Sequence, residues 1–180
     1  MKNNIKIAIS GRSGCGNTTI SKMLAETLGL KFINFTFRSL AKERNLDLKA
    51  VLELASKDDM WDKEVDTRQV RLARESDGCV IGSRLAIWVL EEADVKIYLR
   101  ASSRIRAERI VKREGGDSDE VRAFTLERDR QDHDRYLRIY NIDTDNYDFV
   151  DMVIQTDHFT PQQIVDMIVE KVNGMKSTTG

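Results

Sequence analysis

Residues 5–28 restrict the possible folds more than any other stretch of the chain. Ile5, Ile7 and Ile9 mark an apolar strand, and Met23, Leu24 and Leu28 follow at helical spacing. Between them runs Gly11-Arg12-Ser13-Gly14-Cys15-Gly16-Asn17-Thr18-Thr19. Glycines at both ends of a four-residue gap, followed by a hydroxyl residue, form the skeleton of a phosphate-binding P-loop. Such glycines permit backbone angles that side chains forbid, so successive N–H groups can turn inward around an anion. A helix opening near Gly16 aims its unpaired N–H groups and positive dipole end at the same point. One position departs. The motif carries Lys after the second glycine, to reach the outer phosphates, and this chain carries Asn17.

Beyond the loop, short apolar strands are expected at residues 31–34, 79–82, 95–99 and 152–155. Helical patterns cover residues 36–55 (with a break near 45–47), 59–74, 84–91, 103–114 and 118–139. A last helix opens at Thr160-Pro161, where Ile164, Val165, Ile168, Val169 and Val172 supply one buried face. Gly29 reads as a C-cap, and Ser102 or Ser103 as an N-cap. Strands alternating with helices predict an α/β fold, a parallel five-stranded sheet covered on both faces. Ligands of such sheets bind at the carboxyl ends of the strands. The glycine loop, the segment after residue 34, residues 82–84 and the segment after residue 99 therefore converge on one crevice.

The chain of 180 residues is read as a single domain, long enough to bury about 70% of its unfolded surface. With 29 basic and 30 acidic residues the formal net charge is −1, which disfavours a general affinity for nucleic acid or anionic membrane. Cys15 and Cys79 form neither a disulfide framework nor a metal cluster, and a reduced cytoplasm suits both. The N-terminal Met-Lys-Asn-Asn shows no signal-peptide pattern, and no apolar run approaches a membrane span. Residues 173–180 are small and polar, and a flexible tail is expected there. A monomer is expected.

Arginines follow the strands: Arg38 after the second and Arg84 after the third. Arg109 and Arg113 share a helix face, as do Arg128, Asp132 and Arg135 on the next helix. Taken alone, residues 127–135 fit a solvated, ion-paired face as well as a phosphate site. Several strings, however, resemble the cytidylate kinases, above all their short archaeal form. They are Phe37-Arg-Ser-Leu-Ala-Lys-Glu-Arg44, Glu64-Val-Asp-Thr-Arg-Gln69, Arg84-Leu-Ala, Arg106-Ala-Glu-Arg-Ile-Val-Lys-Arg113, Arg135-Tyr136 and Tyr140-Asn-Ile-Asp143. The likeness spans nearly the whole chain.

The resemblance implies a three-layer P-loop kinase fold with a helical monophosphate-binding insertion at about residues 34–77 and a lid at about residues 106–138. It implies transfer of the ATP γ-phosphate to CMP or dCMP, with Mg²⁺. By that resemblance Gly11, Gly14, Cys15, Gly16, Asn17, Thr18 and Thr19 hold ATP, with Arg109 and Arg113 entering the lid beside it, and Thr18 takes the Mg²⁺ position. Arg38, Asp66, Arg68, Arg84 and Asp132 would form the acceptor side. Arg128 and Arg135 would close on the transferring phosphate, with Asn17 at the catalytic loop position.

Three positions break the family pattern: Asn17 for lysine, Gly82 where an acid is usual, and Ile87 for a small residue. One reading is a kinase whose missing lysine is replaced by Arg12, which lies in the loop, or less well by Lys22. A second is a catalytically weak, regulatory nucleotide-binding protein. A third makes Asn17 an isolated change in an otherwise active enzyme, and an RNA-binding module is the most distant alternative. Of the remaining candidates, Trp61, Trp88, Tyr136 and Tyr140 read as packing residues. His133 reads as a solvated side chain and His158 as a surface residue. The acidic run at residues 143–148 lacks the glycine and terminal glutamate of a calcium loop.

Overall fold

The computed structural model describes residues 4–178, with side-chain environments through Met175. Five strands form one parallel sheet: β1 Lys6–Gly11, β2 Lys31–Ile33, β3 Cys79–Gly82, β4 Val95–Arg100 and β5 Met152–Gln155. Their order is β2-β3-β1-β4-β5, so the chain winds first to one side of β1 and then to the other. Strand β1 lies between β3 and β4, with Ile9 opposite both Gly82 and Ile97. Covered on both faces, it reads as the unbroken apolar run Ile7-Ala8-Ile9 rather than as an alternation.

Successive side chains of a strand point to opposite faces, so two cores form. On one face Ile7 and Ile9 join Val80, Ile97 and Leu99, covered by Ile20 and Leu24 of α1 (Asn17–Leu28) and by Ile164, Val165, Ile168 and Val172 of α8 (Pro161–Thr178). On the other, Ala8, Ile81 and Tyr98 meet Ala73, Ala86, Ile87 and Leu90. The segment between β2 and β3 folds into α2 (Phe37–Glu43), α3 (Leu48–Ala55) and α4 (Met60–Arg74), with a small core of its own from Phe35, Leu40 and Val65. Trp61 packs on that core.

The remaining helices are α5 (Ala86–Val89), α6 (Ser103–Glu114) and α7 (Ser118–Tyr140), and a 3-10 turn spans Thr156–His158. The break expected near residues 45–47 is real: Asn45 takes a positive φ of 52° and Asp47 caps α3 through the Lys49 N–H. The helix expected over residues 84–91 shrinks to one turn. Where a flexible tail was expected from residue 173, α8 continues to Thr178; residues 179 and 180 of that tail, and Met1-Lys-Asn at the other end, lie outside the described residues. No helix among the described residues is long and apolar enough to cross a membrane.

Candidate functional site

The glycine loop leaves the carboxyl end of β1, and its shape is fixed from behind. A side chain at Gly14, where φ is +83°, would place its Cβ 2.8 Å from the Arg106 Cβ, so only glycine lets α6 approach. At Gly11 a Cβ would meet the Leu99 carbonyl at 2.7 Å. Several of the loop's carbonyls are engaged. Arg106 donates to Ser13 (3.2 Å), Arg109 to Gly14 (3.2 Å) and the Thr156 hydroxyl to Cys15 (3.3 Å), while the Arg12 carbonyl accepts from Cys15. Among the described residues the backbone N–H groups of Gly14, Gly16 and Asn17 donate to no protein carbonyl. Donors gathered at a helix N-terminus with no protein acceptor are the physical definition of an anion cradle.

The cradle opens into a cleft of about 940 Å³. Every loop residue singled out in the sequence lines it, as do Asp66, Arg84, Arg109, Arg113, Arg128, Asp132 and Arg135. Arg84, at the end of β3, ion-pairs with Asp132 of α7. Asp132 also holds Arg135 at 3.0 Å, and Arg135 reaches Asp62 of α4 at 3.4 Å. Burial, with Arg128 and Arg135 as like charges nearby, lowers the pKa of the Arg84 guanidinium. Three arginines crowd one another here, an arrangement that an anion between them would relieve. Arg128 is exposed and has no ion pair among the described residues.

Other expected residues sit elsewhere. Arg38 is exposed on α2 and does not line the cleft, and Arg68 is turned to Glu43 (2.8 Å) and stacked over Phe35. Arg109 is a clamp rather than a free cation, held by the Thr156 hydroxyl and carbonyl at 2.9 and 2.8 Å. The two candidates for the missing lysine's charge are occupied. Arg12 pairs with Asp145, and Lys22 points to Glu26 on the exposed face of α1. His133 is half-buried, not solvated, and its Nδ1 lies 3.1 Å from the Thr144 hydroxyl. Tyr136 is buried against the cleft, and Tyr140 does more than pack, donating to Asp66 at 2.6 Å.

The structure also shows residues that sequence reasoning missed. Asp62 and Gln69 line the cleft from α4, each only 4% exposed, and each has one side-chain oxygen without a partner. With Asp66 they occupy positions i, i+4 and i+7, a spacing that could have identified one polar face. Arg106, 2% exposed, pairs with Asp129 at 2.6 Å, and no local pattern distinguishes it from its solvated neighbours. At the cradle itself Thr18 lines the cleft, and the buried Ser83 hydroxyl has no partner among the described residues. Such hard oxygens fit a Mg²⁺ ion that arrives largely coordinated by phosphates and water.

A parallel sheet with this strand order, a phosphate cradle at the end of its central strand and helices on both faces defines a P-loop kinase fold. Solved structures agree. A shikimate kinase from Bacteroides thetaiotaomicron matches with a TM-score of 0.63 over 94% of this chain and 98% of its own, at 15% identity. A deoxyadenosine kinase from M. mycoides with bound dATP matches at 0.57 over 94% and 100%, at 19% identity. The model of the cytidylate kinase-like family matches residues 6–158. A protein named cytidylate kinase 2 from Borreliella burgdorferi is 44% identical over 94% of this chain and 96% of its own length. The protein named cytidylate kinase from Pyrococcus horikoshii is 38% identical over 93% and 88%. The chain belongs to the cytidylate kinase-like family.

Proposed function

We propose that the protein transfers the γ-phosphoryl group of ATP to CMP or dCMP. The observation that carries this reading is the meeting of unpaired loop N–H groups with Arg84, Arg128 and Arg135 across one cleft. An oxygen of the acceptor phosphate attacks the γ-phosphorus, the bond to the β–γ bridging oxygen breaks, and ADP leaves with the electron pair. Negative charge gathers at the transferring group, and fixed donors in a water-poor site stabilise it. The loop from Gly11 to Thr19 holds the ATP phosphates through its backbone N–H groups, and Arg113 borders their entry beside the clamped Arg109. Thr18 and Ser83 would hold Mg²⁺, which shields charge between the phosphates.

On the acceptor side Arg84 binds the monophosphate, oriented by Asp132, and Arg135 and Arg128 approach the transferring group. Arg128, exposed and without an ion pair among the described residues, is the one recruited when both nucleotides are present. Asp62, Asp66 and Gln69 present acceptor atoms to the base, which suits the amino edge of cytosine. Arg38 and Arg68 join only if α2–α4 swing over the acceptor. Soluble, monomeric action in the cytoplasm accords with two buried, free cysteines. Pairs such as Arg104–Glu108 and Arg130–Glu127 neutralise much of the charge an RNA backbone would need.

Asn17 and Gly82 favour one second reading, a weakly catalytic nucleotide-binding protein. The deciding measurement is ADP formation from MgATP with CMP, dCMP, UMP and AMP in turn. Turnover with CMP and dCMP above the others is expected, and Arg128→Ala should lower kcat by roughly a hundredfold with little change in CMP affinity. Tight nucleotide binding without turnover would establish the second reading instead.

A further inference from the structure

Two of the departures from the family pattern, Asn17 and Gly82, meet at one point. The Asn17 amide donates to the Ser83 carbonyl at 3.0 Å, and its oxygen accepts from the Ser21 hydroxyl at 3.4 Å. Ser21, one turn further along α1, is fully buried. A Cβ at Gly82 would lie 2.4 Å from the Ser21 Oγ and 2.7 Å from its Cβ, with the Asn17 Oδ1 at 3.5 Å. Gly82 is not in the left-handed region, so its requirement is space and not backbone conformation. The place where an acidic side chain would begin is filled by Ser21.

The three residues fit one another chemically as well as sterically. A lysine at position 17 and an acid at position 82 would bring opposite charges, so replacing both with neutral groups leaves the local net charge unchanged. Asn17 differs from lysine in having a planar amide that donates and accepts at once, and both functions are used here. Its donated hydrogen bond falls on the peptide that joins Ser83 to Arg84. The Ser83 N–H already donates to the Ile9 carbonyl at 3.2 Å. The carbonyl and the following N–H share one rigid plane, so fixing the Ser83 carbonyl sets the direction in which Arg84 leaves the strand.

We propose that Asn17, Ser21 and Gly82 form one interlocked neutral unit in which Asn17 is a positioning residue for Arg84. Its amide orients the acceptor-binding arginine through the Ser83 carbonyl and does not stand in for a phosphate-binding lysine. Asn17→Lys on its own therefore removes the acceptor for Ser21 and sets a cation beside a glycine with no carboxylate to meet it. The inference rests on the nucleotide kinase reading above. Binding of CMP and of MgADP to the unaltered protein, measured first by calorimetry, separates failure of that reading from failure of this one.

Asn17→Ala is then expected to bind CMP roughly tenfold more weakly, the worth of one hydrogen bond, with MgADP affinity changed by less than about twofold. In steady state KM for CMP should rise while KM for ATP holds, a split that a loss of stability alone would not produce. Weaker MgADP binding with CMP affinity unchanged would place the amide on the donor phosphates and overturn the proposal. The interlock has its own test, by thermal melting. Gly82→Ala should lower Tm by roughly 2–10 °C through overpacking, and the Ser21→Gly/Gly82→Ala pair should melt no lower than Ser21→Gly alone. Additive losses would show that the three do not act as a unit.

Discussion

Asp66 is half-buried on α4, accepts the Tyr140 hydroxyl, and has its carboxyl pushed up to about 6 by burial, against a pull downward from that hydrogen bond. A carboxyl raised above its ordinary 3.8 weakens folding where it must ionise. Below about pH 3 it is protonated in both states and carries almost no penalty. As pH rises to about 6 the unfolded chain releases the proton first, so stability falls, and above that the loss stays constant, at most on the order of 2–3 kcal/mol. Asp66→Asn should therefore melt higher than the unaltered protein at pH 8, with the two converging by about pH 3. An equal difference at both pH values would show that the carboxyl is not the source. Asp66 was legible in the sequence because it lies in a family-like string. Asp62 and Gln69 on the same helix face were not, because their burial in the cleft is a product of the tertiary fold. Arg68 shows the reverse limit: its string suggested the cleft, but Glu43 and Phe35 of the same insertion compete for it and win.

Helix α7 is held unevenly along its length. Its second half is docked on α4, where Arg138 meets Asp59, Arg135 meets Asp62 and Tyr140 meets Asp66. Asp129, paired with buried Arg106, fixes its middle. Before that point Phe124 and Leu126 are exposed, Arg128 has no ion pair among the described residues, and a second cavity of about 240 Å³ lies between α6 and α7 beside Ser13. Gly115 and Gly116, with φ of 82° and 104°, join the two helices there. The sequence made the two glycines and the helix boundaries plain, since conformational punctuation is local. It could not distinguish docked from solvated arginines, because Asp62 and Asp59, which dock Arg135 and Arg138, lie more than 70 residues away. We expect the moving part to be the hairpin tip, within the lid read at residues 106–138. Adding an analogue that joins adenosine to cytidine through a phosphate chain should slow hydrogen exchange at residues 113–128, and far less at residues 130–140. Equal slowing along all of α7 would mean that the docked half moves as well.

At the scale of the molecule the cleft is a junction. One wall belongs to the sheet and its two cores, another to the insertion with its separate small core, and the third to the α6–α7 hairpin. Polar links and the sheet's ends join these parts, and three cleft-lining residues carry buried atoms with no hydrogen-bond partner among the described residues: Asp62 Oδ2, Gln69 Oε1 and Ser83 Oγ. Each such atom costs about 1–3 kcal/mol relative to a partnered one, so the ligand-free protein is least satisfied where its parts meet. A ligand touching a single wall gains only its own affinity. At a hundredfold excess over Kd that is about 2.7 kcal/mol, or roughly 5–11 °C in Tm for a chain of this size. An analogue spanning both nucleotide sites touches all three walls and supplies partners on each, so it should raise Tm by more than ATP and CMP together at matched saturation of each site. Because most of the groups that it satisfies are buried, that excess should also survive an increase of salt that would weaken attraction to a surface patch. A melting shift for the joined analogue no larger than that of the two nucleotides together would show that the walls respond independently, and the cleft would then be two adjacent sites instead of one closing assembly.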